Sequence, residues 1–162
     1  QREMLAAERG ELKANFEEVE ISALIEDVIQ QIKHHQVSKG KQIINANTNQ
    51  EVFIKTDAVL LKRVLLNMLK NAVEASLKAM QISIGVKNES KDAIEIWVKN
   101  ETLMTRDIQL QIFQRSFSTK DETRGIGTYS IKMFTEQYLN GKVSFVSNEE
   151  ERTVFSVFLP KN

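Results

Sequence analysis

Two groups of side chains in this sequence have the types and spacing for chemistry. The first is Asn67, Asn71, Glu74 and Lys78. At about 100° per residue, a helix would place these four within roughly 60° of one another, along one edge. Asn is a mediocre helix former because its amide competes for the backbone, so two of them at i,i+4 beside an apolar stripe ask for a reason. An Asn carbonyl can ligate a hard cation such as Mg²⁺, which keeps waters and shares phosphate oxygens. Spacing alone favours the plainer alternative, a solvated helix edge with incidental amides.

The second group is Phe117-Ser118-Thr119-Lys120 followed by Arg124-Gly125-Ile126-Gly127. Ser118 and Thr119 offer hydroxyls, and Lys120 and Arg124 offer positive charge. Gly125 and Gly127 let backbone approach a ligand closely. A helix beginning after them would add free N–H groups and a dipole that favours an anion. Together these could cradle phosphate. A lone Gly-x-Gly is also what a surface loop with a capping glycine looks like. No Gly-Lys-Ser/Thr triplet occurs, and no buried strand runs directly into the glycines, so neither a Walker loop nor a dinucleotide fingerprint is present.

Both groups need a scaffold. Arg2 to Glu11 is charged and helix-forming, with Gly10 as its stop. Leu12 to Glu20 alternates as a strand. Ser22 is placed to cap a helix reaching about Val37. Lys41 to Ala46 and Glu51 to Lys55 read as a hairpin about Asn47 to Gln50. Asp57 opens the longest helix, to about Met80, with Leu60, Leu61, Val64, Leu65, Met68, Leu69, Ala72 and Val73 as a broad buried stripe. Gln81 to Asn88 and Ala93 to Val98 pair through a turn. Asp107 to Phe113 is a short helix and Ser116 to Gly127 a loop. A last helix runs from about Gly127 to Leu139 and stops at Asn140-Gly141, before a closing hairpin of Lys142 to Val146 and Thr153 to Leu159. Helices interspersed with mostly hairpin-linked strands predict an α+β fold, a two-layer sandwich with a mixed sheet and helices on one face.

The chain has 162 residues, 22 basic and 22 acidic, so net charge argues for neither nucleic acid nor an anionic membrane as partner, and any anion site is local. With no cysteine, disulfides and thiolate metal sites are excluded, and a reducing compartment fits. No apolar run approaches the roughly 20 residues that span a bilayer. The chain opens on Gln and reads as a fragment of a longer protein. His34 and His35 are adjacent, so on a helix they point about 100° apart and make a poor metal pair. Trp97 stands alone on a β segment and reads as core.

Leu66-Asn67-Met68-Leu69-Lys70-Asn71-Ala72-Val73-Glu74-Ala75 resembles the N box of the histidine kinase, gyrase, Hsp90 and MutL ATPase superfamily. Ile112-Phe113-Gln114-Arg115-Ser116-Phe117-Ser118-Thr119-Lys120 resembles its F box, and Arg124-Gly125-Ile126-Gly127-Thr128-Tyr129-Ser130-Ile131-Lys132 its second glycine box. Asn140-Gly141-Lys142-Val143 and Thr153 through Pro160 are similar to its closing strands. The boxes fall in the family's order across residues 57 to 160, and residues 12 to 56 fit more loosely.

The resemblance implies a Bergerat-type sandwich holding ATP and Mg²⁺ between the long helix and a lid. It makes residues 12–162 the catalytic domain of a sensor histidine kinase and residues 1–11 the tail of an upstream phosphoacceptor helix. Asn71 matches the Mg²⁺-binding Asn. Asn67 matches a position that is a basic Glu in hydrolysing relatives, and an Asn there cannot take a proton from water. That favours phosphoryl transfer, with Asn67 and Lys120 catalytic. Lys70 and Lys120 match phosphate-contacting positions. Gly125 and Gly127 match lid glycines, with Ser118, Thr119, Arg124 and Ile126 lining the same site. The first glycine box departs: Lys99-Asn100-Glu101-Thr102-Leu103-Met104 stands there, with Lys99 at the Asp that accepts from the adenine amino group. Either Asn100 or Glu101 supplies the acceptor, or adenine affinity is weak, or nucleotide binding is lost. The implied partners are ATP, the upstream phosphoacceptor helical domain and, indirectly, a response regulator, in a cytoplasmic homodimer that binds no nucleic acid. The alternatives are a degenerate scaffold domain and an anti-sigma-type serine kinase.

Overall fold

The computed structural model describes the chain apart from residues 1, 36–38, 48–49 and 115–121, and apart from the side chains of residues 2–3 and 122–126. In chain order the elements are α1 (Arg2–Glu8), β1 (Glu17–Glu20), α2 (Ile21–Lys33), β2 (Gln42–Asn45), β3 (Phe53–Thr56), α3 (Ala58–Ala75), β4 (Gln81–Lys87), β5 (Ala93–Asn100), α4 (Arg106–Gln111), α5 (Glu122–Met133), a π-helical turn (Phe134–Tyr138), β6 (Lys142–Asn148) and β7 (Arg152–Pro160).

The main sheet has the order β2-β4-β5-β7-β6, and β1 and β3 form a separate two-stranded sheet. The inner face of the main sheet carries Ile82, Ile84, Ile94, Ile96, Val98, Val157 and Leu159, all at most 1% exposed, so this is where the helices bury their apolar stripes. The buried stripe of α3 is Leu60, Leu61, Val64, Leu65, Met68, Leu69, Ala72 and Val73, the eight apolar positions that the periodicity marks. The mixed sheet with helices against it is the expected fold class.

The predicted hairpin of residues 41–46 and 51–55 does not form. Instead β2 lies parallel to β4, and β3 lies antiparallel to β1 with Val19 opposite Ile54. Two strands of four residues each advertise strand character but not their partner. The choice falls to burial: Ile54 and Thr56 go inward with Val19.

The cap of α2 is Glu20, whose carboxylate accepts from Ala23 N at 3.0 Å. The predicted cap, Ser22, donates instead to the Gln50 carbonyl. At α3 the Asp57 cap is as expected: Oδ1 accepts from Leu60 N at 3.0 Å, and Oδ2 from Asn15 N at 2.7 Å, which ties the β1 approach to the helix start. The helix ends five residues before Met80. Ser76 Oγ donates back to Ala72 O at 2.8 Å, and Lys41 Nζ donates to Val73 O at 2.7 Å, so these last carbonyls are satisfied without another turn. Ala79 then adopts φ +72° and its N–H bonds Gly40 O at 2.8 Å.

Trp97 is half-buried on the outer face of the sheet, not in the core. Its ring lies across Gly85 on β4, where a Cβ would sit 2.6 Å from the ring. The last helix also differs from expectation. It begins at Glu122 and takes both Gly125 and Gly127 into its first turns, then widens into the π-helical turn before Asn140 (φ +58°) and Gly141.

Candidate functional site

The first constellation survives in part. Asn67, Asn71 and Glu74 lie half-buried along one edge of α3, whereas Lys78 falls beyond the helix and is exposed. Lys78 packs its stem against Gly40. Lys70 is half-buried on the same helix.

What faces that edge is α5. Asn67 Nδ2 donates to Ser130 Oγ at 2.9 Å, and Ser130 Oγ donates to Gly127 O at 2.8 Å. A Cβ on Gly127 would lie 3.9 Å from Asn71 Oδ1. One turn before Asn67, the Arg63 guanidinium carbon stands 5.8 Å from the centre of the Phe134 ring. Arg63, Asn67 and Asn71 at i,i+4 spacing therefore meet Phe134, Ser130 and Gly127 in reverse order. The amide edge and the glycine segment share one cleft between antiparallel helices.

Asn71 Nδ2 is buried and has no hydrogen-bond partner among the described residues. An unsatisfied buried amide is unfavourable, and such groups mark places where a ligand, ion or water completes the set. Its carboxamide oxygen faces Gly127, where an added Cβ would make ordinary van der Waals contact, so a hard oxygen donor is turned toward the glycine segment of α5.

The second constellation lies largely outside the described residues. Ser118, Thr119 and Lys120 are among those not described, as is Phe117, and for Arg124, Gly125 and Ile126 only the backbone is given, in the first turns of α5. Phe113, at the start of the F box, packs on the sheet: its ring centre is 5.8 Å from Phe145 and 6.2 Å from Phe155, with Lys132 Nζ of α5 at 5.4 Å from it.

The register of β5 distinguishes the candidates at the first glycine box. Ile94, Ile96, Val98 and Asn100 point to the helical face, so Lys99 points to the other. Asn100, one of the two acceptors left open, is only 4% exposed on that helical face. Its Oδ1 accepts from Thr102 N at 2.9 Å and from the Thr102 hydroxyl. Glu101 is exposed and its Oε1 accepts from Gln81 N at 2.6 Å, holding the start of β4. Alternation along a strand is the signal that singles out Asn100.

Residues 56–162 match the family of histidine kinase-, DNA gyrase B- and HSP90-like ATPases. The chain belongs to that family. The histidine protein kinase SaeS of Staphylococcus aureus (strain USA300) is 32% identical over 109 residues, 62% of this chain and 31% of that protein. The chain thus spans about a third of the length of that relative. Among solved structures, the catalytic domain of histidine kinase ThkA superposes with TM-score 0.78 at 23% identity, covering 91% of this chain and 97% of that one. ThkA in complex with the response regulator protein TrrA superposes with TM-score 0.80 at 21% identity, covering 99% of this chain and 46% of that one. At these identities the superpositions establish the shared fold.

His34 and His35 are exposed at the end of α2, as expected of surface residues. Among the described residues no group of three or more His, Cys, Asp or Glu could hold a metal ion, and no helix is long and apolar enough to cross a membrane.

Proposed function

We propose that this domain binds Mg²⁺ and ATP between α3 and the glycine segment of α5, and holds the γ-phosphate for transfer to a histidine on a helical domain outside this chain. The observation that carries this reading is the meeting of Asn67 with Ser130 and of Asn71 with Gly127 across one cleft.

Asn71 fits a Mg²⁺ ligand: a neutral oxygen donor facing Gly127, on an amide whose nitrogen lacks a described partner. A bound Mg²⁺ would neutralise phosphate charge. Asn67 orients the terminal phosphate through an amide that cannot act as a base, which directs the site to phosphoryl transfer over hydrolysis. Lys70, Lys120 and Arg124 supply positive charge to the phosphates. Ser118, Thr119 and the backbone of Gly125, Ile126 and Gly127 supply hydroxyl and N–H donors. In the transfer an imidazole nitrogen attacks the γ-phosphorus while the bond to the β,γ-bridging oxygen breaks. ADP leaves and the ring proton passes to solvent. Catalysis rests on positioning and electrostatics.

Asn100 is the residue best placed to read the base. The Thr102 N–H can only donate, so the atom it meets is Oδ1, and the other amide atom is an NH₂ donor. An Asp there would keep the same turn and offer an acceptor to the adenine amino group. ATP affinity is accordingly modest. By analogy with ThkA and TrrA, the phosphoryl group passes on to a response regulator, within a cytoplasmic homodimer built by segments outside this chain.

The test is incubation with γ-labelled ATP and Mg²⁺, alone and with an upstream phosphoacceptor domain added in trans. Saturable binding with label only on the added domain is expected. Rapid label on His34 or His35, or no binding at millimolar nucleotide by the folded domain, would contradict the proposal.

A further inference from the structure

α1 packs against α5. Met4 is 7% exposed and Ala7 fully buried, so the short helix is docked rather than trailing. Two tyrosines fasten it. Tyr138 Oη donates to Ala7 O at 2.6 Å, and Tyr129 Oη donates to Glu8 Oε2 at 3.4 Å. Ala7 O also accepts from Gly10 N at 3.1 Å, so Tyr138 adds a second hydrogen bond to a carbonyl in the last turn of α1.

The same stretch of chain continues to the site. Tyr129 is flanked by Thr128 and Ser130, and Ser130 bonds Asn67. Tyr138 packs on Phe134, with ring centres 6.3 Å apart, and Phe134 carries Arg63 of α3. The π-helical turn from Phe134 to Tyr138 sets this direction. A π turn widens the helix, and such turns are frequent at functional sites. Here the side chain that closes the turn ends on α1. The N-terminal turns of α5 contain two glycines, each worth about 1 kcal/mol of helix propensity relative to Ala. Their placement therefore depends on how the rest of α5 is anchored, and both α3 and α1 anchor it.

We infer that Tyr138 and Tyr129 are positioning residues that make the placement of Gly127 and Ser130 against Asn71 and Asn67 depend on the docking of α1. The inference rests on the nucleotide reading for its effect on affinity, though not for the linkage between α1 and α5. Any event that lifts or rotates α1 loosens α5 and weakens the cleft. By reciprocity, a ligand that closes the cleft tightens α1.

Hydrogen exchange and Mg-ATP titration of the whole chain test this in wild type, Tyr138→Phe and Tyr129→Phe. Neither substitution touches the cleft, and each removes one hydroxyl. Faster exchange across residues 128–138 in Tyr138→Phe, with β4 and β5 unchanged, is the expected sign of linkage. The dissociation constant for Mg-ATP should rise about threefold to tenfold, the range one lost hydrogen bond gives. Mg-ATP should slow exchange in α1 of wild type and do so less in Tyr138→Phe, a difference that a purely structural bond would not produce. Exchange over 128–138 equal to wild type in both variants overturns the inference, as does binding that leaves α1 exchange untouched. If wild type binds no nucleotide, the proposed function fails, and the exchange comparison still decides the linkage.

Discussion

At Asn100 a single atom separates two chemistries. The Asx turn with Thr102 consumes Oδ1, so the second side-chain atom alone is left for the proposed base contact, and it is a donor. Asn100→Asp leaves the shape and the turn in place and converts that donor to an acceptor. We expect ATP to bind the variant roughly tenfold more tightly, as one gained hydrogen bond to a charged group allows, measured by calorimetric titration. Unchanged or weaker affinity would remove Asn100 from the base site. Asn71→Ala removes the oxygen proposed for the cation and an unsatisfied buried amide together. Mg-ATP affinity should fall at least about tenfold while thermal stability stays within roughly 1 kcal/mol of wild type, since no described hydrogen bond of the Nδ2 group is lost. Much of this is legible in the residues themselves: type and spacing mark Asn67, Asn71 and Gly127. They do not decide between Asn100 and Glu101, because adjacent residues match a motif equally well, whereas strand alternation turns only Asn100 inward.

The elements that position the site are held at points where side-chain volume is tightly limited. Gly141 follows the π-helical turn, and a Cβ there would lie 2.4 Å from the Phe158 carbonyl oxygen. Backbone cannot yield as a flexible side chain can. Gly141→Ala should therefore destabilise the domain by about 1–3 kcal/mol in chemical denaturation, the scale of overpacking. Asp57→Ala removes the α3 cap and the tie to Asn15, and should cost about 1–2 kcal/mol by the same measurement. Helix and strand identities are readable from periodicity because burial imposes it directly: all eight stripe residues of α3 are in the core. Helix ends are less so. The end of α3 is decided by Ser76 and by Lys41, which is remote in sequence, and the start of α5 by anchoring that overrides two glycines. The partner of β2 is illegible for a related reason, since a four-residue strand carries no address.

For the molecule as a whole, the sheet supplies a floor, and α3 and α5 face each other above it. Family membership and the superpositions agree with that architecture. Within it, the amides of α3 and the glycine segment of α5 are proposed to close around a single magnesium triphosphate. Replacing Mg²⁺ with paramagnetic Mn²⁺ in the ATP complex tests this most directly, by amide resonance broadening. The backbone signals of Asn71 and of Gly127 should broaden together at substoichiometric Mn-ATP, while those of Gly85 and Trp97, on the sheet strands β4 and β5, stay sharp. Broadening of one segment without the other, or of neither in a sample saturated with nucleotide, would contradict a shared closure.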